Sequence, residues 1–416
     1  MSLHDHLVDV GPLRENHPFR AFWAGSAIST LGSQMAAFAL TYYVWRVTQS
    51  AVVLGLVGVV QGVPMVAFAP LGGHLADTVN RRTVLMCTRA AQLAVSSGAA
   101  VVVLAGVRSV PVLFGVLGAG AALSSLGAPV AQSIPARLLT GTSLPAGLAL
   151  TRLGGQLATL VGPAVGGALV ASTGVGTCLV MDALSFVAAL WGVSRVPERA
   201  ARPLGDDRPR RRALSDAVEG VRLVLRTPVI LGAFLVDICA TVLALPAALF
   251  PVINAERFGG SPITLGLMLP AVGLGGVVAG LLSGRLTTHR HQGRLMLISC
   301  AAWGLATTAF GASGTLPLAL AALAVAGAAD TCTVVSRGTI VQSDTPDTLR
   351  GRVNALDYLV GAGAPKLGDL RAGLVAGATS GAVSCALGGL ACVVGATVIA
   401  SATPRLRRWQ LPARVE

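Results

Sequence analysis

Charge is scarce in this chain. Asp, Glu, Lys and Arg together make up 12% of 416 residues, too little to clothe a soluble domain of this length. Aromatic residues are at 4%, which removes both a stacking platform for nucleobases and an aromatic wall for sugars. Lysine is almost missing, since Lys366 is the single lysine among 31 basic residues. No Cys-x-x-Cys occurs, and the seven cysteines (Cys87, Cys178, Cys239, Cys300, Cys332, Cys385, Cys392) lie in or beside apolar stretches with no pairing register. They read as small buried hydrophobes, not as disulfides or ligands. The six histidines fall in the N-terminal segment (His4, His6, His17) or at short connections (His74, His289, His291), outside the apolar runs. That argues against a metal centre or an intramembrane enzyme, so neither metal nor cofactor is expected. The first twenty residues carry acids and histidines before any apolar run, unlike a signal peptide, so the first span is expected to be retained.

What fills the chain instead is apolar: 53% of residues, in runs long enough to cross ~30 Å of hydrocarbon as helices. Twelve such runs can be placed, the first near 22–45 and the last near 380–402. They are continuous and do not alternate every second residue, which selects helices over a barrel. The expectation is an all-α membrane protein of twelve transmembrane helices in two six-helix bundles. Glycine, at 51 residues and often spaced by four, suits close helix contact in lipid. Basic residues gather on one side of the spans. Only Arg46, Arg108 and Arg257 fall on the other side, and Lys366 and Arg371 fall within a span, so both termini are expected in the cytoplasm. The net charge of +13 is then accounted for by anionic headgroups facing patches such as Arg208, Arg210, Arg211, Arg212 and the tail Arg405, Arg407, Arg408, with no need of nucleic acid.

Residues 196–213, with Pro197, Pro203 and Pro209 among mixed charges, read as a cytoplasmic connection. Leu214, Val218, Val221 and Leu225 follow at helical spacing and predict an amphipathic helix on the inner surface. The expected domains are an N-terminal bundle at 1–195, a linker with this helix at 196–227, a C-terminal bundle at 228–403 and a basic tail at 404–416. A weak repeat supports two related halves: Gly73, Leu75, Arg81 and Arg82 in the second-to-third connection, and Gly284, Leu286, Arg290 and Arg294 in the eighth-to-ninth. Two such halves with a site between them are what alternating access requires.

The second-to-third connection, "GGHLADTVNRRTVL", has Gly73, then Asp77 four residues on, then paired Arg81 and Arg82. In this it resembles the major facilitator superfamily. Thr78 and Asn80 depart from the family pattern, which has a basic residue and a glycine there; Asn is the residue that best tolerates a left-handed turn after glycine. The positive-inside rule explains the arginines but not Gly73 and Asp77 at this spacing. The resemblance implies a conformational latch, with Asp77 capping the start of the eleventh span near Val353 and the arginines at the headgroups.

The fifth span holds Gly162, Pro163, Gly166 and Gly167, which look like the antiporter motif of drug-exporting members; proline bends the segment and glycine admits a partner backbone. The stretch from Gly327 to Leu356, with Arg337, Gln342, Thr345, Pro346, Asp347, Gly351, Arg352 and Val353, resembles the enterobactin exporter family, as does the segment from Asn16 with Phe19, Arg20, Trp23, Gly25 and Gly32. Thr345 and Pro346 read as a cap and turn, with Asp347, Arg350 and Arg352 in a loop that is either gating or structural.

Ionisable groups inside spans are expensive and mark function by default. They are Arg152, Asp182, Asp237, Asp330, Asp357, Lys366, Asp369 and Arg371. The family's cavity helices are the first, fourth, seventh and tenth, which favours Asp237 and Asp330 as carboxylates that load a proton or meet substrate, against a fixed bond such as Asp330 to Arg337. Lys366 and Asp369 share a helix face and are placed to neutralise one another, with Arg371 pointing elsewhere. Asp182 and Asp357 are set aside, one in a scaffold span and the other barely a turn into its helix. The fourth span lacks the arginine common in proton-coupled exporters. Ser26, Ser29, Ser33, Gln34, Tyr42, Ser124, Ser125 and Gln132 among apolar residues suit an amphipathic organic cargo. The resemblance therefore implies a monomeric exporter in a bacterial cell membrane that moves a siderophore, antibiotic or drug-like molecule outward against protons, with a proton gradient as its energy source. An importer on the same fold is the alternative.

Overall fold

The computed structural model describes residues 9–141, 143–202, 219–244, 247–281, 289–346 and 349–411, and the regular structure among them is helical. The long helices, numbered in chain order, are α1 (His17–Thr48), α2 (Ala51–Thr78), α3 (Arg81–Leu104), α4 (Val110–Ser133), α5 (Ser143–Thr173), α6 (Val175–Ser194), α7 (Pro228–Leu243), α8 (Pro262–Leu281), α9 (Gln292–Ala312), α10 (Leu316–Asp344), α11 (Arg350–Ala378) and α12 (Gly381–Ala402). Ten of these, α2 to α10 and α12, α4 and α7 counted with the short helices after them, are long and apolar enough to cross a membrane. The other two have the length, 32 and 29 residues, but not the composition. Hydroxyls and Gln34 dilute α1, and Arg352, Asp357, Lys366, Asp369 and Arg371 dilute α11.

The chain forms two compact units. The first comprises Met1–Thr48 and Val63–Asp207; the second comprises Gln49–Gly62 and Arg208–Glu416. The division runs through α2, just ahead of Pro64, one of two prolines inside that helix. The first twelve residues of α2 therefore belong with α11, a partition the apolar pattern does not announce.

In the first unit α1 packs on α5 and α6, while α3 packs on α4 and α6. Small residues set the α1–α6 distance. A Cβ on Gly25 would stand 2.5 Å from the Ala188 carbonyl oxygen, and one on Gly192 would stand 2.6 Å from that of Ala21. Asn16 starts α1 by accepting from the Phe19 N–H at 2.9 Å, and its Nδ2 donates to the Leu138 carbonyl at 2.7 Å. Trp23 Nε1 donates to the Leu150 carbonyl on α5 at 3.0 Å. Gly174, at φ +93°, makes the one-residue break between α5 and α6 that an L side chain resists.

In the second unit α9 packs on both α10 and α12, α8 on α10, and α7 on α11. Its core gathers Ile230, Val236, Met296, Cys300, Ala326, Ile340, Val353 and Leu406. Leu406 is fully buried, so the short helix Pro404–Arg407 is docked on α7 and α9, and Trp409 Nε1 donates to Asp344 Oδ1 at 2.9 Å. Arg405, Arg407 and Arg408 remain exposed beside it. Of the expected amphipathic helix, 219–226 is helical with Val221 and Leu225 exposed and Val224 buried; Leu214 and Val218 lie outside the described residues.

Candidate functional site

The segment carrying Gly73, Asp77, Arg81 and Arg82 is almost entirely helical. Helix α2 runs to Thr78, and only Val79 and Asn80 separate it from α3. Asn80 is not left-handed: at φ −57° it is the N-cap of α3, its side chain accepting from the N–H groups of Arg82 at 3.0 Å and Thr83 at 3.3 Å. A capping Asn satisfies two of the free donors of the helix start, which gives it a purpose where glycine is usual. Arg81 does not share the surface with Arg82. It is buried and donates to the Arg202 carbonyl at 2.6 Å, while Arg82 is part-exposed. Asp77 is exposed and acts electrostatically on Arg81. It belongs to the first unit, and Val353 to the second. The glycine in close contact is Gly72, against the Ser125 and Leu126 carbonyls of α4, whereas a Cβ on Gly73 would meet nothing. The corresponding Gly284 and Leu286 lie outside the described residues; Arg294 is in the first turn of α9.

On α5, Gly162, Pro163, Gly166 and Gly167 are buried. Gly162 faces Gln34 and Gly166 faces Met35 and Phe38, so two of these glycines admit α1. Gln34 Nε2 also donates to Thr159 Oγ1 at 3.0 Å. Arg152, earlier on the same helix, is exposed.

Two polar clusters in the first unit were not anticipated. Asp182, set aside on position alone, is buried where α1, α3 and α6 meet: its Oδ1 accepts from Ser33 at 3.1 Å and its Oδ2 from Ser96 at 2.6 Å. Hydroxyls, not a cation, hold this carboxylate. Arg89 on α3 donates to Gln92 at 2.9 Å, and Gln92 donates to Ser124 on α4 at 3.0 Å. The fourth span thus lacks its own arginine, yet a guanidinium reaches it through one amide. Serines near an acid are a common enough pattern that only packing could single these out.

Among the described residues, a buried charged network lies in the second unit. Arg337 on α10 is buried and forms ion pairs with Asp237 on α7 and with Asp357 on α11, the latter through Nε at 3.3 Å and Nη2 at 3.5 Å. Asp330, two helical turns before Arg337, is within electrostatic range of both Asp237 and Arg337. Arg337 therefore turns to Asp237 and Asp357, not to Asp330, and Asp357 is part of the network despite lying near the start of its helix. Two carboxylates pair with the guanidinium and a third, Asp330, lies within electrostatic range, so the fully ionised cluster carries excess negative charge that a proton or a cationic ligand would offset. Beyond it Arg352 pairs with Glu219. Gln342 and Arg350 are exposed, and Asp347 lies outside the described residues. Thr345 Oγ1 turns back to the Val341 carbonyl at 2.5 Å, and the Pro346 carbonyl accepts from the Leu349 N–H at 2.9 Å.

Lys366 and Asp369 do not neutralise one another by direct contact. Lys366 Nζ donates to Gln61 Oε1 on α2 at 2.8 Å, and buried Asp369 accepts from the Ala248 N–H at 3.2 Å. Gly58 and Gly62 make room for the two residues, and Arg371, on another face, donates to the Leu243 carbonyl at 2.9 Å. The amide partner at Gln61 is invisible to spacing because it lies on another helix. Packing also joins Cys239, Cys300 and Cys392, which the sequence presents as three separate small residues.

Comparison with known proteins gives this geometry a setting. A family profile described as transmembrane secretion effector matches residues 8–414. The enterobactin exporter EntS of Shigella boydii serotype 4 (strain Sb227) is 25% identical over 359 residues, 86% of this chain and 84% of its own. That of Escherichia coli O1:K1 / APEC is 25% identical over the same shares. Among solved structures, the nucleoside transporter NupG matches with a TM-score of 0.75 over 94% of this chain and 99% of its own, at 14% identity. The D-xylose-proton symporter matches with a TM-score of 0.69 over 94% and 99%, at 15% identity. At such identities these structures speak to the fold.

Proposed function

The chain belongs to the transmembrane secretion effector family, multi-pass membrane transporters of the major facilitator kind, and from that premise we infer that it exports an amphipathic organic molecule in exchange for protons. The cargo class is a siderophore, antibiotic or drug-like compound, and the setting is the cell membrane of a bacterium, where the protein works as a monomer by alternating access. What supports export is the family's description and the similarity to the enterobactin exporter. What supports coupling is one observation, the cluster in which buried Arg337 pairs with Asp237 and Asp357 while Asp330 lies within electrostatic range.

The cluster suggests how a proton does work here. When Asp237 is ionised it holds Arg337 between α7 and α10; a proton on Asp237 removes that attraction and leaves Arg337 to Asp357 on α11. Loading and release of one proton thus changes which helices the guanidinium ties. Asp330, within electrostatic range of Asp237, is a second place for the proton. No covalent step is involved. Serine, glutamine and tyrosine side chains on α1 and α4 offer the cargo scattered hydrogen bonds within apolar walls.

Inverted vesicles carrying wild type, Asp237→Asn or Asp330→Asn test this reading with a fluorescent amphipathic cation and a catecholate siderophore. Gradient-driven uptake by wild type, lost in either variant, is the expected result. Equal uptake in all three removes these acids from coupling. Efflux from the inverted vesicles, driven by the same gradient, makes the protein an importer.

A further inference from the structure

Cys239 on α7, Cys300 on α9 and Cys392 on α12 point into one place in the second unit. The Cys300 and Cys392 sulfurs are 3.7 Å apart, and the three Sγ atoms all lie within 4.8 Å of one another. All three side chains are buried in an apolar setting of Val236, Ala240, Trp303 and Ala396. Their nearest polar partners are one another and backbone carbonyls: Cys239 toward Cys392 at 3.6 Å, Cys300 toward Val236 at 3.8 Å, and Cys392 toward Cys300 at 3.6 Å. The spacing is fixed by the backbone, because α9 and α12 approach closely at Gly304 and Gly389.

Charge decides what such a site would hold. The side chains packed around the three sulfurs, Val236, Ala240, Trp303 and Ala396, are apolar, so net charge left on a bound centre is costly there. Three thiolates around copper(I) carry two negative charges, and around zinc or cadmium one; mercury(II) is neutral with two sulfurs and leaves the third unused. A trivalent centre with three thiolates is neutral, and only a neutral adduct avoids the cost of burying net charge among these side chains. Arsenous acid, itself uncharged at neutral pH, enters without that cost as well.

We propose that Cys239, Cys300 and Cys392 form a three-thiol site for a trivalent, thiol-seeking metalloid, arsenic or antimony, whose capture ties α7, α9 and α12 together. The step balances without an oxidant. Three S–H and three As–O bonds break, three As–S and three O–H bonds form, and As(OH)3 leaves its oxygens as three waters. Binding at this site is measured without transport, so its failure and that of the export reading are distinguishable.

The test uses the full-length protein in lipid nanodiscs, reduced with a phosphine, incubated with arsenite, desalted and assayed for arsenic. One arsenic per chain is expected in wild type, in Cys87→Ser and in Cys385→Ser. At least a tenfold loss is expected in each of Cys239→Ser, Cys300→Ser and Cys392→Ser, and in the matching alanine variants that elute as wild type on gel filtration. X-ray absorption on the loaded wild type, which needs no variant, should show arsenic bonded to three sulfurs and no oxygen. Arsenic held through oxygen, binding that survives loss of all three cysteines, no bound arsenic, or retention of cadmium or copper(I) but not arsenite each overturns the proposal.

Discussion

Arg337 is the residue on which the second unit's polar interior turns. A guanidinium with a carboxylate on either side is tolerable in an apolar bundle because each group satisfies the other; a single truncation leaves the remainder uncompensated. Arg337→Gln is therefore expected to destabilise the protein by ~3–5 kcal/mol, read as a lower thermal unfolding midpoint in detergent. Adding Asp237→Asn should recover part of that loss, because it removes one of the two stranded charges, and strict additivity of the two changes would contradict the pairing. At this scale the sequence singled out Asp237 and Asp330 as costly groups with something to do, and offered a fixed bond from Asp330 to Arg337 only as the alternative. That alternative joined the wrong pair, because helical spacing relates residues on one helix and the partners here stand on α7 and α11.

At the scale of the element, the helices follow from continuous apolar runs and their ends from local signals such as Asn80 and Gly174. The motif between α2 and α3 shows where pattern matching stops. The motif singles out Gly73 in the sequence, but a Cβ at Gly72 would stand 2.6 Å from the Leu126 carbonyl oxygen and one at Gly73 would meet nothing. Gly72→Ala should push α2 off α4 and lower the unfolding midpoint. Gly73→Ala should leave it unchanged or slightly raised, since alanine favours a helix interior over glycine by ~1 kcal/mol. Equal effects from both would contradict the packing at Gly72. Arg81 carries a related lesson. Its pairing with Arg82 suggested a surface patch, yet it is tied to the Arg202 carbonyl inside the first unit.

For the whole molecule, the distribution of arginine sets the expected topology. A fluorescent protein fused after Glu416 should fold and emit, and alkaline phosphatase fused there should be inactive, because both termini are expected on the cytoplasmic side. The opposite pair of results reverses the orientation. The boundary between the two compact units falls inside α2, between Gly62 and Val63 and just ahead of Pro64.

The sequence by itself determined that this is a helical membrane protein and a transporter of the major facilitator kind, because hydropathy, glycine content and short motifs are local properties written along the chain. Only the tertiary structure decided which buried groups meet: Arg337 with Asp237 and Asp357, Lys366 with Gln61, Asp182 with Ser33 and Ser96, and three cysteines from α7, α9 and α12. Those partnerships depend on which helix faces pack together and at what register, and side-chain spacing within one helix carries no record of either.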